Sequence, residues 1–199
     1  ALSRLTPRTS VALGFSESGR TLAQRLASQP GTPFVIARDP MSRSGFGADS
    51  DFSIGVRHDV GPVALTVTGE RGRVERPAVL LEPERAPPAY TVSSIAADRR
   101  IGSWSLNASA SRLDEEETVL GGRFAFAPGG ATSWFLDAGA RWDAGRHWQL
   151  GASYRRGWTI MPGGNGLIAG GQLQTDAWSV DARREHAFAH GDLLALRVM

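Results

Sequence analysis

An alternation of apolar and polar side chains, with a period of two residues, runs along most of this chain and limits the folds open to it. Phe52, Ile54 and Val56 alternate with small or polar residues, and the pattern resumes over residues 63–68 after a turn at 58–62. Successive side chains of a strand point to opposite faces, so a period of two predicts β-strands. Two such segments joined by a turn with Gly and Pro predict an antiparallel hairpin.

The hairpin unit repeats along the chain, which we interpret as a single domain over residues 1–199. The repetition predicts about eleven or twelve strands in up-and-down order. Helical spacing is confined to residues 20–28, where Leu22 and Leu26 share a face. Further segments with clear alternation are 104–111, 119–126, 134–142 and 148–155.

The polar face of these strands differs from the solvent face of a soluble sheet. It carries mostly Ser, Gly, Ala, Thr and Asn, and Lys is absent from the chain. The lumen of a membrane barrel tolerates small residues together with isolated charges. We therefore expect an all-β fold, an antiparallel up-and-down β-barrel of the outer-membrane type. The charges expected to face its lumen are Arg123, Asp137, Arg141 and Arg155.

The tryptophans support a membrane location because they fall near the ends of predicted strands. Trp134 and Trp142 share a face eight residues apart. At about 3.3 Å per residue and about 40° of tilt, this spacing is roughly 20 Å along the membrane normal. Both would lie near the edges of an apolar band about 25 Å tall, where aromatic girdles occur. The residues predicted to form these girdles are Trp104, Trp134, Trp142, Trp148 and Tyr154.

The predicted connections fit such a barrel incompletely. Outer-membrane barrels have short turns on one side and longer loops on the other. Segments 58–62 and 99–103 are short, and 71–89 and 113–118 are longer, as required. Continuing the alternation would put the short turn 143–146 outside and the long segment 158–173 inside. We expect either a miscounted strand or one connection that breaks the rule.

Alternation alone is also compatible with a soluble β-sandwich that serves in adhesion or carbohydrate binding. A porin-like channel is a further alternative. The net charge of +2 is spread along the chain, and we predict no nucleic-acid partner because no basic face is concentrated. Without Cys, the chain has no disulfide and no thiolate chemistry.

Motifs for catalysis or metal binding are weak. His186 and His190 have the spacing of zinc ligands on a helix, but they lie in a predicted turn. Residues 14–19 depart from the nucleophile-elbow pattern because Ser18 replaces its second glycine. The carboxylates of residues 114–117 are typical of a solvated loop tip, although such a run can collect a divalent cation. We predict no catalytic residue, no metal site and no cofactor.

Several segments resemble the C-terminal barrel region of autotransporter-like, subtilisin-family serine peptidases (subtilases) from Gram-negative bacteria. The resemblance covers nearly the whole chain, although each motif is short and none is catalytic. The segments that carry it are 33–37, 45–46, 114–121, 133–138, 156–159, 177–181 and 191–198.

This resemblance implies an outer-membrane location, with lipid and the barrel-assembly machinery as partners. It also implies an N-terminal passenger domain of the same polypeptide, a subtilisin-like serine peptidase lying outside this chain, which the barrel anchors or translocates. No catalytic residue of that passenger is carried over, so the chain itself is expected not to be an enzyme. Because Leu194, Leu196 and Val198 form an alternation that stops without a turn, we expect an incomplete barrel with further strands after Met199.

Overall fold

A computed structural model describes residues 1–27, 48–74, 87–121, 129–145, 147–162 and 171–199 of the chain. Over these ranges it has ten strands in one antiparallel sheet, and each strand pairs with its neighbours in sequence. The elements are β1 (Leu2–Thr6), β2 (Thr9–Phe15), α1 (Gly19–Ala27), β3 (Ala48–Val60), β4 (Val63–Val74), β5 (Ala89–Ile101), β6 (Trp104–Glu115), β7 (Ala131–Gly145), β8 (Trp148–Met161), β9 (Gly171–Glu185) and β10 (Leu193–Val198).

The all-β, antiparallel up-and-down prediction is confirmed, with ten described strands in place of the eleven or twelve expected. β1 pairs only with β2 and β10 only with β9, so the described sheet has two free edges. The central strands are long, from twelve residues in β4 to fifteen in β7. A sheet of this size with native twist tends to curl.

The strand predicted over residues 119–126 is wrong for its described part. β6 pairs directly with β7, and Leu120 and Gly121 have φ of 49° and 78°, in the left-handed region. The buried carboxylate of Glu115 holds this segment beside the end of β6. It accepts hydrogen bonds from the Thr118 hydroxyl at 2.6 Å and from the Leu120 and Gly121 N–H groups at 2.6 and 2.7 Å. Arg123 lies outside the described residues.

Between the ten described strands, short and long connections alternate regularly. The connections at 7–8, 61–62, 102–103 and 146–147 have two residues each, and 186–192 has seven. Those at 16–47, 75–88, 116–130 and 162–170 are longer and lie at the other end of the strands. Among the described strands, the irregularity expected at 143–146 and 158–173 is therefore not found.

The predicted helix is confirmed as α1, which begins one residue earlier than expected. The Ser18 hydroxyl accepts a hydrogen bond from the Thr21 N–H at 3.3 Å and so acts as the N-cap. Leu22 and Leu26 are buried against Ala12 of β2. The helix packs on β2, β3 and β4.

Apolar burial is otherwise concentrated at the end of the sheet that has the long connections. There the segment after β6 packs onto one face of the central strands. The buried members of this cluster are Val74, Tyr90, Val92, Leu113, Val119, Leu120, Ala131 and Phe135.

Candidate functional site: a polar buried face and an apolar exposed face

The two faces of the sheet differ in exposure and, over most of their area, in polarity, and we name them the exposed face and the buried face. The exposed face also carries the Arg156–Asp176 ion pair, which lies beside Leu136. Leu136 is 50% exposed and Val67 is 52% exposed although both lie in the middle of the sheet. Apolar side chains from nearly every strand share this exposure. Members of the exposed face are Leu13, Phe52, Ile54, Val56, Val67, Ile95, Leu106, Trp134, Leu136, Trp142, Leu150, Ile160, Val180 and Leu196.

The buried face carries small hydroxyl side chains along most of its area. They pair across neighbouring strands: Ser133 with Thr159 at 2.8 Å and Ser153 with Ser179 at 2.9 Å. Soluble proteins usually bury apolar residues and expose Ser and Thr, so this arrangement is the reverse of theirs. Polar residues under 9% exposed include Ser53, Thr66, Thr68, Ser111, Ser133, Thr159 and Ser179.

The buried face holds a fully buried ion pair at its centre. Asp137 of β7 and Arg155 of β8 are register partners, and the guanidinium donates to both carboxylate oxygens at 2.5 and 2.9 Å. The Ser109 hydroxyl donates to the same carboxylate at 3.3 Å, and the Phe135 ring lies 5.3 Å from the guanidinium carbon. Two residues predicted to face a lumen are therefore brought together here, with their charges paired.

A second ion pair on this face spans an intervening strand. Arg57 of β3 donates to both carboxylate oxygens of Asp98 in β5 at 2.9 and 3.1 Å. Ala64 and Thr66 of β4 lie between them and are small enough to leave the space open. The alternation around Phe52 puts Arg57 on the polar face of its strand. Its partner Asp98 follows only from the pairing of β3, β4 and β5, which the sequence pattern does not give. Arg141, the other described lumen candidate, is half-buried.

The aromatic residues predicted for girdles lie on the exposed face. Trp104 and Trp142 are register partners whose rings stack 5.7 Å apart, and Trp148 begins β8. Trp134 lies near the other end of β7, with the Arg112 guanidinium 5.4 Å from its ring. Tyr154 differs from these tryptophans because it lies at the middle of β8, where its hydroxyl donates to Asp176.

The turn between β9 and β10 contains the histidines considered as metal ligands. The His186 ring lies 5.1 Å from that of His147 and 4.6 Å from that of His190. The Asp192 carboxylate accepts the Phe188 and Ala189 N–H groups at 2.8 and 2.7 Å. Burial raises the pKa of Asp192, but these N–H groups and the nearby His186 outweigh it, so the pKa lies below the ordinary value of 3.8.

Within the described ranges, no three His, Asp or Glu side chains converge to hold a metal ion. The described part of the chain also has no helix long and apolar enough to cross a bilayer. Comparison of the chain with protein-family models, with curated proteins and with solved structures found no match.

Proposed function

We propose that this chain forms the wall of an outer-membrane β-barrel, with its exposed face against lipid and its buried face lining the interior. The observation that carries the proposal is the reversed polarity of the sheet. In water, the apolar exposed face would be an extensive hydrophobic patch, of a kind that monomeric soluble proteins avoid. Against hydrocarbon it is the favourable surface, and the hydroxyl groups and the Asp137–Arg155 pair of the buried face are kept from lipid.

A soluble β-sandwich fits these observations less well. Two packed sheets bury interdigitated apolar side chains between them. Here all ten described strands belong to one sheet, and its buried face contains the Asp137–Arg155 pair among hydroxyl groups. An adhesion or carbohydrate-binding sandwich would need those positions to be apolar.

The alternation of connections supports an orientation for the proposed barrel. Short turns of outer-membrane barrels face the periplasm and longer loops face the exterior. We therefore assign the turns at 7–8, 61–62, 102–103, 146–147 and 186–192 to the periplasmic side. In this orientation α1 and the segment after β6 lie at the external end.

We further propose that the barrel anchors or translocates an N-terminal passenger, a subtilisin-like peptidase by the resemblance of segments such as 133–138 and 177–181. Because interior space at the external end is filled by α1 and by residues 118–121, the wall is less suited to a freely open, porin-like channel. Partners on this proposal are outer-membrane lipid, the passenger and the barrel-assembly machinery.

Cell fractionation tests the membrane location. The full polypeptide should sediment with the outer membrane and stay there after washing with alkaline carbonate, which strips peripheral proteins. The matched variant is Leu136→Arg, which places a charge on the exposed face. It should reduce the fraction of protein that stays with the membrane after the carbonate wash. Recovery of the unmodified protein in the carbonate supernatant would contradict the proposal.

A further inference from the structure

The helix α1 covers part of the buried face, on strands β2 to β4. Its two buried leucines sit where the strands have glycine. A Cβ atom at Gly14 would lie 2.7 Å from a methyl of Leu22, and one at Gly55 would lie 2.7 Å from a methyl of Leu26. Such contacts are too short for carbon atoms, so the two glycines form a notch that fits the helix.

Hydrogen bonds hold the start of α1 on the same face. The hydroxyls of Ser50 and Ser53 donate to the Glu17 carbonyl oxygen at 2.9 and 2.6 Å. The Glu70 carboxylate accepts the Gly19 N–H at 2.8 Å and, on its other oxygen, the Tyr90 hydroxyl at 2.7 Å. Glu70 therefore connects α1 to the apolar cluster that contains Tyr90.

The other segment on the buried face is held more firmly. Val119 and Leu120 belong to a cluster of eight buried residues, and Glu115 accepts three hydrogen bonds from their segment. Among the residues that the structure describes, the cluster that holds α1 has three members, Ala12, Leu22 and Leu26. Segments with few buried apolar contacts open at lower free-energy cost than the core does.

From this difference we infer that α1 is a removable cover on the buried face, latched by Glu70, while residues 118–121 form a fixed stopper. When α1 is docked, the polar surface around Ser53 and Thr68 is closed. When it leaves, that surface becomes available to water or to an extended polypeptide. The inference builds on the proposed barrel, since it regulates access to the interior.

Thiol labelling tests the cover without requiring membrane insertion, because the chain has no native Cys. Ser53→Cys places a thiol beneath α1, and Ser133→Cys places one on β7; both serines are 0% exposed. Leu22→Ser with Leu26→Ser removes the anchors without substituting a sheet residue. The control Arg25→Ser changes an exposed side chain of the same helix, whose surface ion pair with Glu17 at 2.8 Å contributes little to stability. The probe is a charged, water-soluble maleimide applied to the folded full chain.

Loss of the anchors should raise the labelling rate at position 53 by about tenfold or more, as expected for an opened segment. The rate at position 133 should stay unchanged, and Arg25→Ser should leave both rates unchanged. Glu70→Gln should raise the rate at position 53 in the same direction. Equal rates at position 53 with and without the anchors would overturn the inference, and so would a matching rise at position 133.

A disulfide lock supplies the reverse test. The Leu22 Cβ lies 3.8 Å from the position of a Cβ at Gly55, which is the mean separation in disulfides. Oxidised Leu22→Cys/Gly55→Cys, in a chain that also carries Ser53→Cys and Leu26→Ala (the latter to make room for the new Cβ at position 55), should suppress labelling at position 53, located by peptide mapping, and reductant should restore it. A labelling rate at position 53 that is the same in the oxidised and reduced forms would overturn the proposal that α1 is a removable cover. Failure to sediment with membranes, by contrast, would refute only the proposed barrel.

Discussion

At the scale of single residues, the central charges of the buried face are buried but paired. Asp137 and Arg155 are 2% and 0% exposed at their side chains, and each supplies the other's counter-charge. Removing one member of such a pair is costly because the remaining charge stays buried without compensation. Replacing both members with apolar groups of similar size avoids that penalty.

Asp137→Leu alone or Arg155→Met alone should therefore lower the free energy of unfolding by about 3–5 kcal/mol. The double variant should lose much less than the sum. Urea titration of the folded protein in detergent, followed by tryptophan fluorescence, measures these differences. Additive losses in the double variant would show that the two side chains do not act as a pair.

A second residue-scale prediction compares the two faces. Arg introduced on the lipid side near the centre of a barrel costs about 2–4 kcal/mol, and much less on the lumen side. Leu136→Arg and Ala152→Arg on the exposed face should thus impair folding into lipid vesicles, whereas Gln149→Arg on the other face of β8 should not. Comparable folded yields for all three variants would contradict the assignment of faces.

At the scale of elements, the turn between β9 and β10 should be sensitive to acid. The pKa of Asp192 lies below 3.8 in the folded chain, so its carboxylate stabilises the turn above that pH. This stabilisation is lost as the pH falls through the folded-state pKa, when the acceptor of the Phe188 and Ala189 N–H groups is protonated. The amide shifts of these two residues in NMR should titrate together, and Asp192→Asn should remove that titration.

Strands were predictable because their alternation is a local property of the sequence. The hairpin of β3 and β4 was found from Phe52, Ile54 and Val56, and α1 from the spacing of Leu22 and Leu26. The segment after β6 misled the same reasoning because Val119 and Leu120 continue the alternation. The backbone turns away where Glu115 accepts hydrogen bonds from the Leu120 and Gly121 N–H groups, contacts that no periodicity reveals.

The candidate site was predictable to a similar extent. Period two placed Asp137 and Arg155 on one polar face, and register then made them partners. Arg57 and Asp98 are forty-one positions apart in sequence and meet across β4, which requires knowledge of strand order. The glycine notch for α1 could not be predicted either, because Gly14 and Gly55 are recognised as contact positions only once the helix is known to lie over them.

At the scale of the whole molecule, the described sheet leaves β1 and β10 each with one unpaired edge. Unpaired N–H and C=O groups cost several kcal/mol each in hydrocarbon, so an open edge cannot face lipid. In the proposed barrel both edges are therefore covered, and the full polypeptide folded in detergent should be a compact species. Its mobility on gels should change on heating, and a mobility independent of heating, together with rapid proteolysis, would contradict the prediction.

The central claim, that the exposed face contacts lipid, is tested most directly by single-cysteine spin labelling along β8 in vesicles. Labels at Leu150, Ala152 and Tyr154 should be accessible to oxygen, which concentrates in hydrocarbon, and shielded from a water-soluble nickel chelate. Labels at Gln149 and Ser153 on the buried face should not show that preference for oxygen. The account predicts an accessibility ratio that alternates with a period of two, and it would be contradicted by exposed-face labels that the chelate reaches more readily than oxygen does.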